Sequence, residues 1–294
     1  MAFNVILLFI IGSYWGFTFA LSRIVMLSGA DPFVVTFWQA VGSGILVWLA
    51  MWAFGRLPRI DMQYVRFSIV VGLLGNAVPS VLLFGAAAHA GAGVLSVCMA
   101  TVPLMQFGLA IVMRVEPFRA VRLLGLAMGM VSVWIIANPD TGAAPVFWVG
   151  VAILAAVCYT GESMFISIRR PADLSPAAVL GGMLIVSSIA TAPLAFFAEV
   201  GLPLSLSAPG ELEVAFALLI VGSPIAYGGF VFIIMRAGPV FATQVSYIVT
   251  VSGVIAGVLM LGESYEAGFW VALVLMMAGL SLSLPGGRKV AQAD

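Results

Sequence analysis

The sequence predicts an all-α integral membrane protein, in which ten transmembrane helices form two inverted five-helix repeats and both termini are cytoplasmic. Three observations lead to this fold class. First, 63% of the 294 residues are hydrophobic and 8% are charged, with a mean hydropathy of +1.19, unlike the composition of soluble domains. Second, apolar stretches long enough to cross a bilayer recur along the chain. Third, basic residues gather in alternate connections.

Each apolar stretch predicts one spanning helix of about 20 residues. The stretches lie near residues 3–26, 32–54, 67–88, 92–113, 121–138, 146–168, 176–198, 214–235, 239–261 and 266–284. They are apolar all round, whereas barrel strands alternate in hydrophobicity, and a helix satisfies its own backbone in lipid. The first stretch has no basic segment before it and is too long for a signal peptide, so we interpret it as the first span.

The basic residues predict the orientation of the chain. Eleven of the 12 fall in connections on one side, and Arg23 alone falls on the other. Because Lys and Arg are retained in the cytoplasm, both termini are predicted there. The formal net charge of zero argues against a nucleic-acid partner. Cys98 and Cys158 lack metal-ligand spacing, so we expect small apolar fillers and neither a metal nor another cofactor.

An internal repeat is visible in the sequence. Residues 90–130 and 237–277 share eight identities at an offset of 147, and Glu116 coincides with Glu263. Further pairs coincide at an offset of 145: Tyr14 with Tyr159, Gly16 with Gly161, Ser22 with Ser167 and Pro79 with Pro224. We therefore predict two halves of five spans each, residues 1–143 and 144–294. The alternative is that Glu116 and Glu263 are unrelated interfacial glutamates.

Five spans are an odd number, so the second half must enter the membrane from the opposite side. The segment around Glu116 contains arginines and the equivalent segment around Glu263 contains none, as expected if the two lie on opposite faces. Transporters built from inverted repeats bind substrate near the midplane, beside helices broken by Gly or Pro. Pro79 and Pro224 are such breaks at equivalent positions.

Side chains near these breaks, together with aromatic and polar residues of neighbouring spans, are the candidate substrate-binding residues. They are Tyr14, Trp15, Asn76, Pro79, Ser80, Met99, Thr101, Tyr159, Glu162, Ser163, Pro224, Tyr227, Gln244 and Tyr247. Tyr14, Trp15 and Tyr159 could form an aromatic wall. Glu162 is the deepest ionisable residue and a candidate amine or proton site.

Ordinary structural roles remain open for each of these residues. The prolines could merely kink their helices, hydroxyls often bond to their own backbone, and polar groups also hold membrane helices together. Glu162 could pair with Arg169 two turns later. No enzyme is expected, because His89 is the only histidine, no aspartate lies at the centre of a span, and no G-x-S-x-G occurs.

The two Tyr-x-Gly motifs, Tyr14-Trp15-Gly16 and Tyr159-Thr160-Gly161, and the glutamate between the fourth and fifth spans of each half resemble the EamA-type drug/metabolite transporters. The resemblance covers the whole chain and implies two five-helix repeats that export metabolites, often amino acids. Two departures limit the resemblance. Ile11 and Ala156 stand where four-helix multidrug relatives align their membrane glutamate, and Thr160 replaces the Trp of the first motif.

We therefore expect an exporter of small metabolites in the bacterial inner membrane, with amino acids, including aromatic ones, as substrates. A first alternative is a proton-coupled multidrug exporter of planar organic cations, and a second is a membrane scaffold or lipid-modifying protein. The expected partners are the small-molecule substrate and the lipid bilayer. The G-x-x-x-G patterns Gly12/Gly16, Gly125/Gly129 and Gly253/Gly257 would suit close helix contacts within the chain or in a homo-oligomer.

Overall fold

The computed structural model describes residues 2–113, 120–138, 144–171, 173–205, 209–237 and 244–283, and all regular structure within these ranges is helical. The helices are α1 Ala2–Leu27, α2 Pro32–Ala53, α3 Met62–Gly72, α4 Val78–Ala87, α5 Ala92–Met99, α6 Thr101–Val112, α7 Ala120–Ala137, α8 Val146–Arg169, α9 Pro176–Phe197, α10 Glu211–Ala237, α11 Val245–Leu261 and α12 Ala267–Ser283. A π-helical turn, Leu73–Ala77, joins α3 to α4.

The helices confirm the all-α prediction. Seven helical stretches in the described ranges are long and apolar enough to cross a membrane, and three shorter apolar helices, Leu123–Ala137, Val245–Leu261 and Ala267–Leu282, accompany them. The number of ten crossings, the inverted topology and the cytoplasmic termini stay predictions. The segment around Glu116 and the boundary at residues 143/144 lie outside the described residues or at their edge.

Local sequence explains where several helices begin. Asp31 caps α2, since its Oδ1 accepts hydrogen bonds from Phe33 N at 2.8 Å and Val34 N at 3.4 Å. Asp61 caps α3 in the same way, accepting from Tyr64 N at 2.8 Å. Both carboxylates satisfy amides that the first turn of a helix leaves unpaired. The polar connections thereby define the ends of apolar spans.

The π-helical turn interrupts the third predicted span at its middle. Val78 N donates to Leu73 O across the wider turn, and Pro79, in the following turn, has no N–H for the Gly75 carbonyl. Gly72, just before the turn, packs against α9: a Cβ there would lie 2.5 Å from Val186 Cβ. The turn is therefore held against a neighbouring helix, and π-turns of this kind often lie at functional sites.

Helices of the first half pack mainly on helices of the second half. α1 packs against α10 and α11, α2 against α9, and α7 against α12. α8 in turn packs against α4, α5 and α6. Close approach of α1 and α11 depends on Gly16, where a Cβ would lie 2.7 Å from the Gly253 amide nitrogen. The interior of the bundle is thus built jointly by both halves.

Candidate substrate-binding cavity

A cavity of about 220 Å³ lies inside the bundle, enclosed by α1, α2, the π-turn, α4, α5, α8, α9 and α10. Six of the predicted residues line it: Trp15, Asn76, Ser80, Tyr159, Pro224 and Tyr227. The remaining wall is formed mostly by Leu, Phe and Met side chains of α4, α5, α9 and α10 and by neutral hydroxyl and amide groups. The cavity is small and mainly apolar, with a few polar groups that could orient a ligand.

Aromatic rings form part of the cavity wall. Trp15 of α1, Tyr159 of α8 and Tyr227 of α10 line it together with Phe19. Trp15 is supported from behind by Phe230, at a centroid distance of 5.1 Å and an interplanar angle of 61°. Such edge-on contacts hold a ring in place. The faces of these rings could stack on a planar side chain or contact an ammonium group.

Asn76 presents an amide to the cavity from the π-turn. Ser187 of α9 donates a hydrogen bond to its Oδ1 at 2.7 Å. Because the oxygen is occupied, the Nδ2 group of Asn76 is left to donate to a ligand. Ser187 is fully buried, so the orientation of Asn76 is set by a neighbouring helix rather than by solvent.

The carbonyl that Pro224 deprives of its helical donor has another hydrogen-bond partner. Pro224 removes the donor for Ile220 O, but Ser43 of α2 donates to that carbonyl at 2.8 Å. The preceding carbonyls also have partners: Gln39 Nε2 donates to Leu219 O at 3.5 Å, and Tyr14 Oη donates to Leu218 O at 3.0 Å. The broken helix is therefore satisfied from within the protein.

Glu162 lies beside the cavity, against the π-turn. A Cβ added to Gly75 would be 2.7 Å from its Cγ and 3.0 Å from its Oε1, so only glycine leaves room for this side chain. Ser163 Oγ donates to Glu162 Oε2 at 3.3 Å. Glu162 forms no ion pair in the described part of the chain, and the pairing with Arg169 that the sequence allowed is absent there.

Three charged or polar side chains form a cluster at one end of the bundle, which we call the Arg23–Glu263 cluster: Arg23, Glu263 and Tyr265. Arg23 Nε lies 3.2 Å from Glu263 Oε1, and Arg23 Nη1 donates to Ala87 O and Ala90 O at 2.9 and 2.8 Å. The cluster therefore joins α1, the α4–α5 turn and the α11–α12 turn.

The same carboxylate caps α5. Gly91 has no side chain to cap the helix, and Glu263 accepts from Ala92 N at 2.9 Å and from Gly93 N at 3.4 Å. Tyr265 Oη accepts from Gly93 N at 3.0 Å and donates to Glu263 Oε2. Burial and this bond to Glu263 raise the pKa of Tyr265, so the phenol keeps its proton and stays a donor.

On three helices, residues of the cavity wall lie close in sequence to residues of the Arg23–Glu263 cluster or to residues that it binds. Ser22 of α1, Phe84 of α4 and Leu95 of α5 line the cavity, and each lies within one turn of a residue that the cluster binds. The Arg23–Glu263 ion pair therefore lies close in sequence to residues that line the cavity.

The family model described as the EamA-like transporter family matches residues 2–138 and again 146–284. The chain belongs to the EamA-like transporter family. The two matches are two EamA repeats, and together with the apolar helices they make the protein a multi-pass membrane protein of a transporter family. The family consists of transporters rather than enzymes in general.

A solved structure shares the overall fold of this EamA-like transporter. A crystal structure of a protein that is 19% identical in sequence matches with a TM-score of 0.61 and covers 96% of this chain and 97% of its own. At that identity the likeness concerns the fold alone. No curated protein sequence matches the chain.

Eight of the fourteen predicted residues do not line the cavity of the EamA-like transporter. Tyr14 is one layer behind it and holds Leu218 O, and Thr101 is buried and donates to Cys98 O at 2.6 Å. Tyr247 packs against the core with a buried hydroxyl that has no hydrogen-bond partner among the described residues. The others are Pro79, Met99, Glu162, Ser163 and Gln244.

Five polar residues that line the cavity are absent from the fourteen predicted residues: Thr18, Ser22, Gln39, Ser43 and Ser223. Thr18 and Ser22 follow Trp15 at intervals of three and seven residues, so they share its face of α1. Gln39 and Ser43 are four apart on α2 and likewise share a face. Helical spacing from Trp15 could have identified the α1 pair, whereas α2 contains no residue that the motifs single out.

Proposed function

We propose that this EamA-like transporter exports small zwitterionic metabolites, including aromatic amino acids, from the cytoplasm across the bacterial inner membrane. The observation that carries this proposal is the composition of the cavity wall. Aromatic rings and neutral hydrogen-bonding groups line it, and no charged side chain of the described residues does so. A zwitterion carries its own counter-charge, so the dipoles and ring faces of the cavity wall can hold it. The resemblance of its motifs to the EamA-type transporters, which often export amino acids, supports the same substrate class, and we infer a function like that of the aromatic amino-acid exporter YddG.

We infer that transport proceeds by alternating access between two inverted repeats. The packing of the helices supports the inverted relation between the two halves. α1 packs on α10 and α11, and its counterpart five spans later, α8, packs on their counterparts, α4 and α5–α6. In this mechanism the Arg23–Glu263 cluster is a gate on the non-cytoplasmic side. It would have to open for substrate to leave.

The substrate proposal is tested by reconstitution in liposomes with counterflow of radiolabelled amino acids. We expect saturable exchange of L-phenylalanine, and exchange of planar organic cations would instead support the multidrug alternative. The proximity of Glu162 to the aromatic wall favours that alternative as the second candidate. Absence of amino-acid exchange in a preparation that exchanges cations would contradict the proposal.

Trp15→Ala is expected to raise the half-saturation concentration for L-phenylalanine roughly twofold to twelvefold, because a stacking contact contributes about 0.5–1.5 kcal/mol. Counterflow kinetics over a concentration series measure the change. Trp134→Ala is the matched control, since Trp134 is 70% exposed on α7, away from the cavity. Equal kinetic constants for both variants would remove Trp15 from the binding site.

A further inference from the structure

Glu162 is an acidic side chain in the interior of a predicted span. It lies sixteen residues after the start of α8 and seven before its end, or about 10 Å from the nearer end at 1.5 Å per residue. Ionisable groups at such depth are costly, and they face the bundle interior when they are retained. The position of Glu162 therefore requires a physical explanation.

The structure places this carboxylate against broken backbone. Its Cγ and Oε1 lie over Gly75 in the π-turn, and Pro79 leaves the Gly75 carbonyl without its ordinary donor. The next residue, Asn76, lines the cavity. A group bound to Glu162 would thus be adjacent to a ligand in the cavity.

Among the described residues, no cationic side chain forms an ion pair with Glu162. Tyr159 on its own helix and Tyr227 on α10 lie close enough to interact with it electrostatically. The π-turn and α4 contribute the neutral Asn76 and Ser80. Arg169, Arg170 and, on α3, Arg66 are exposed at the helix ends, and none of them pairs with Glu162 in the described ranges.

Protonation or a bound cation stabilises a carboxyl group in such weakly polar surroundings. Its hydrogen-bond donor, Ser163 Oγ, satisfies one oxygen and leaves the other for such a partner. The wall of the adjacent cavity has aromatic faces and, among the described residues, no acidic side chain. The ammonium group of an amino acid in the cavity would find its strongest electrostatic partner here.

We propose that Glu162 binds a proton and the ammonium group of the substrate in alternation, so that each substrate molecule leaves in exchange for an entering proton. When the ammonium group arrives, the carboxyl O–H releases its proton to the cytoplasm and the carboxylate pairs with the cation. When the substrate leaves on the other side, the carboxylate takes up a proton from that side. This inference rests on the proposed function.

The first test is chemical and does not depend on transport. Dicyclohexylcarbodiimide adds to protonated carboxyl groups in apolar surroundings, and mass spectrometry locates the adduct. We expect an adduct on Glu162 that decreases as the pH rises and that L-phenylalanine prevents. An adduct that is insensitive to both, or no adduct on Glu162, would overturn the inference. In Gly75→Ala the added methyl group displaces the Glu162 carboxylate, and we expect the extent of labelling at Glu162 to change. Glu266 is exposed, so in the control variant Glu266→Gln we expect the labelling of Glu162 to match that of wild type.

The second test measures protons with a pH-sensitive dye inside liposomes loaded with L-phenylalanine. Efflux of L-phenylalanine through the wild-type protein should acidify the lumen. Glu162→Gln should no longer move protons when it moves L-phenylalanine. Acidification by Glu162→Gln at the wild-type ratio would contradict the inference. If wild type exchanges L-phenylalanine without moving protons, this inference fails and the proposed function stands. If wild type exchanges no L-phenylalanine, the proposed function fails as well.

Discussion

Gly16→Ala is expected to destabilise the protein by about 1–3 kcal/mol, the usual cost of inserting a group into a filled interior. A Cβ at this position would lie 2.6 Å from Ser252 Cβ, 2.7 Å from Gly253 N and 2.7 Å from Val249 O on α11. Two of these three neighbours are backbone atoms that cannot rotate away. α1 and α11 would have to separate, which a thermal scan in detergent followed by size-exclusion chromatography would register as a lower midpoint.

Gly150→Ala is the matched control for this substitution. Gly150 is exposed near the start of α8, and a Cβ added there would meet nothing within 4 Å. Both substitutions gain the same helix propensity, up to about 1 kcal/mol, so their difference isolates the packing cost. Similar midpoints for the two variants would mean that α1 does not approach α11 as closely as described.

Glu263→Ala is expected to cost about 3 kcal/mol, the lower end of the range for removing one member of a buried ion pair. The side chains of Arg23 and Glu263 are 22% and 10% exposed, so the arginine left behind keeps a charge with little water. The α5 amides of Ala92 and Gly93 lose their acceptor at the same time. The same thermal scan measures the loss.

Glu266→Ala, in the same turn, is the control for a lost negative charge, since Glu266 is exposed.

A double-mutant cycle with Arg23→Ala separates the ion pair from the helix cap. We expect the two single changes to be less than additive, because each removes the same pair. Full additivity would show that Arg23 and Glu263 stabilise the protein independently. Counterflow by Glu263→Ala would show in addition whether weakening the proposed gate changes the rate of exchange.

The helices could be predicted from the sequence because lipid imposes one simple requirement on every span. Each must be apolar for about 20 residues and must satisfy its own backbone, and this requirement leaves a continuous pattern. Trp15, Asn76, Tyr159 and Tyr227 were found by related reasoning, since aromatic and amide groups in the middle of spans are unusual. The paired prolines directed attention to the correct depth of the bundle.

The registers of the helices could not be predicted, and this explains the misses. Met99 and Tyr247 have side chains suited to a binding site, but their helices direct them into the core. Hydropathy alone does not specify the rotation of a span that is apolar all round. The pairing of Arg23 with Glu263, 240 residues apart in the chain, also escaped prediction, although both residues had been singled out for other reasons.

Interlocked packing of the two halves has a consequence for how such a chain can be divided. α1 contacts α10 and α11, and α2 contacts α9, so much of the apolar surface that each half presents inward is covered by the other half. A half expressed alone would turn its glycine-lined faces, including that of Gly16, to lipid tails, which cannot fill them as a matched helix does. The cavity is therefore expected to reassemble from separated halves only when both halves are expressed together.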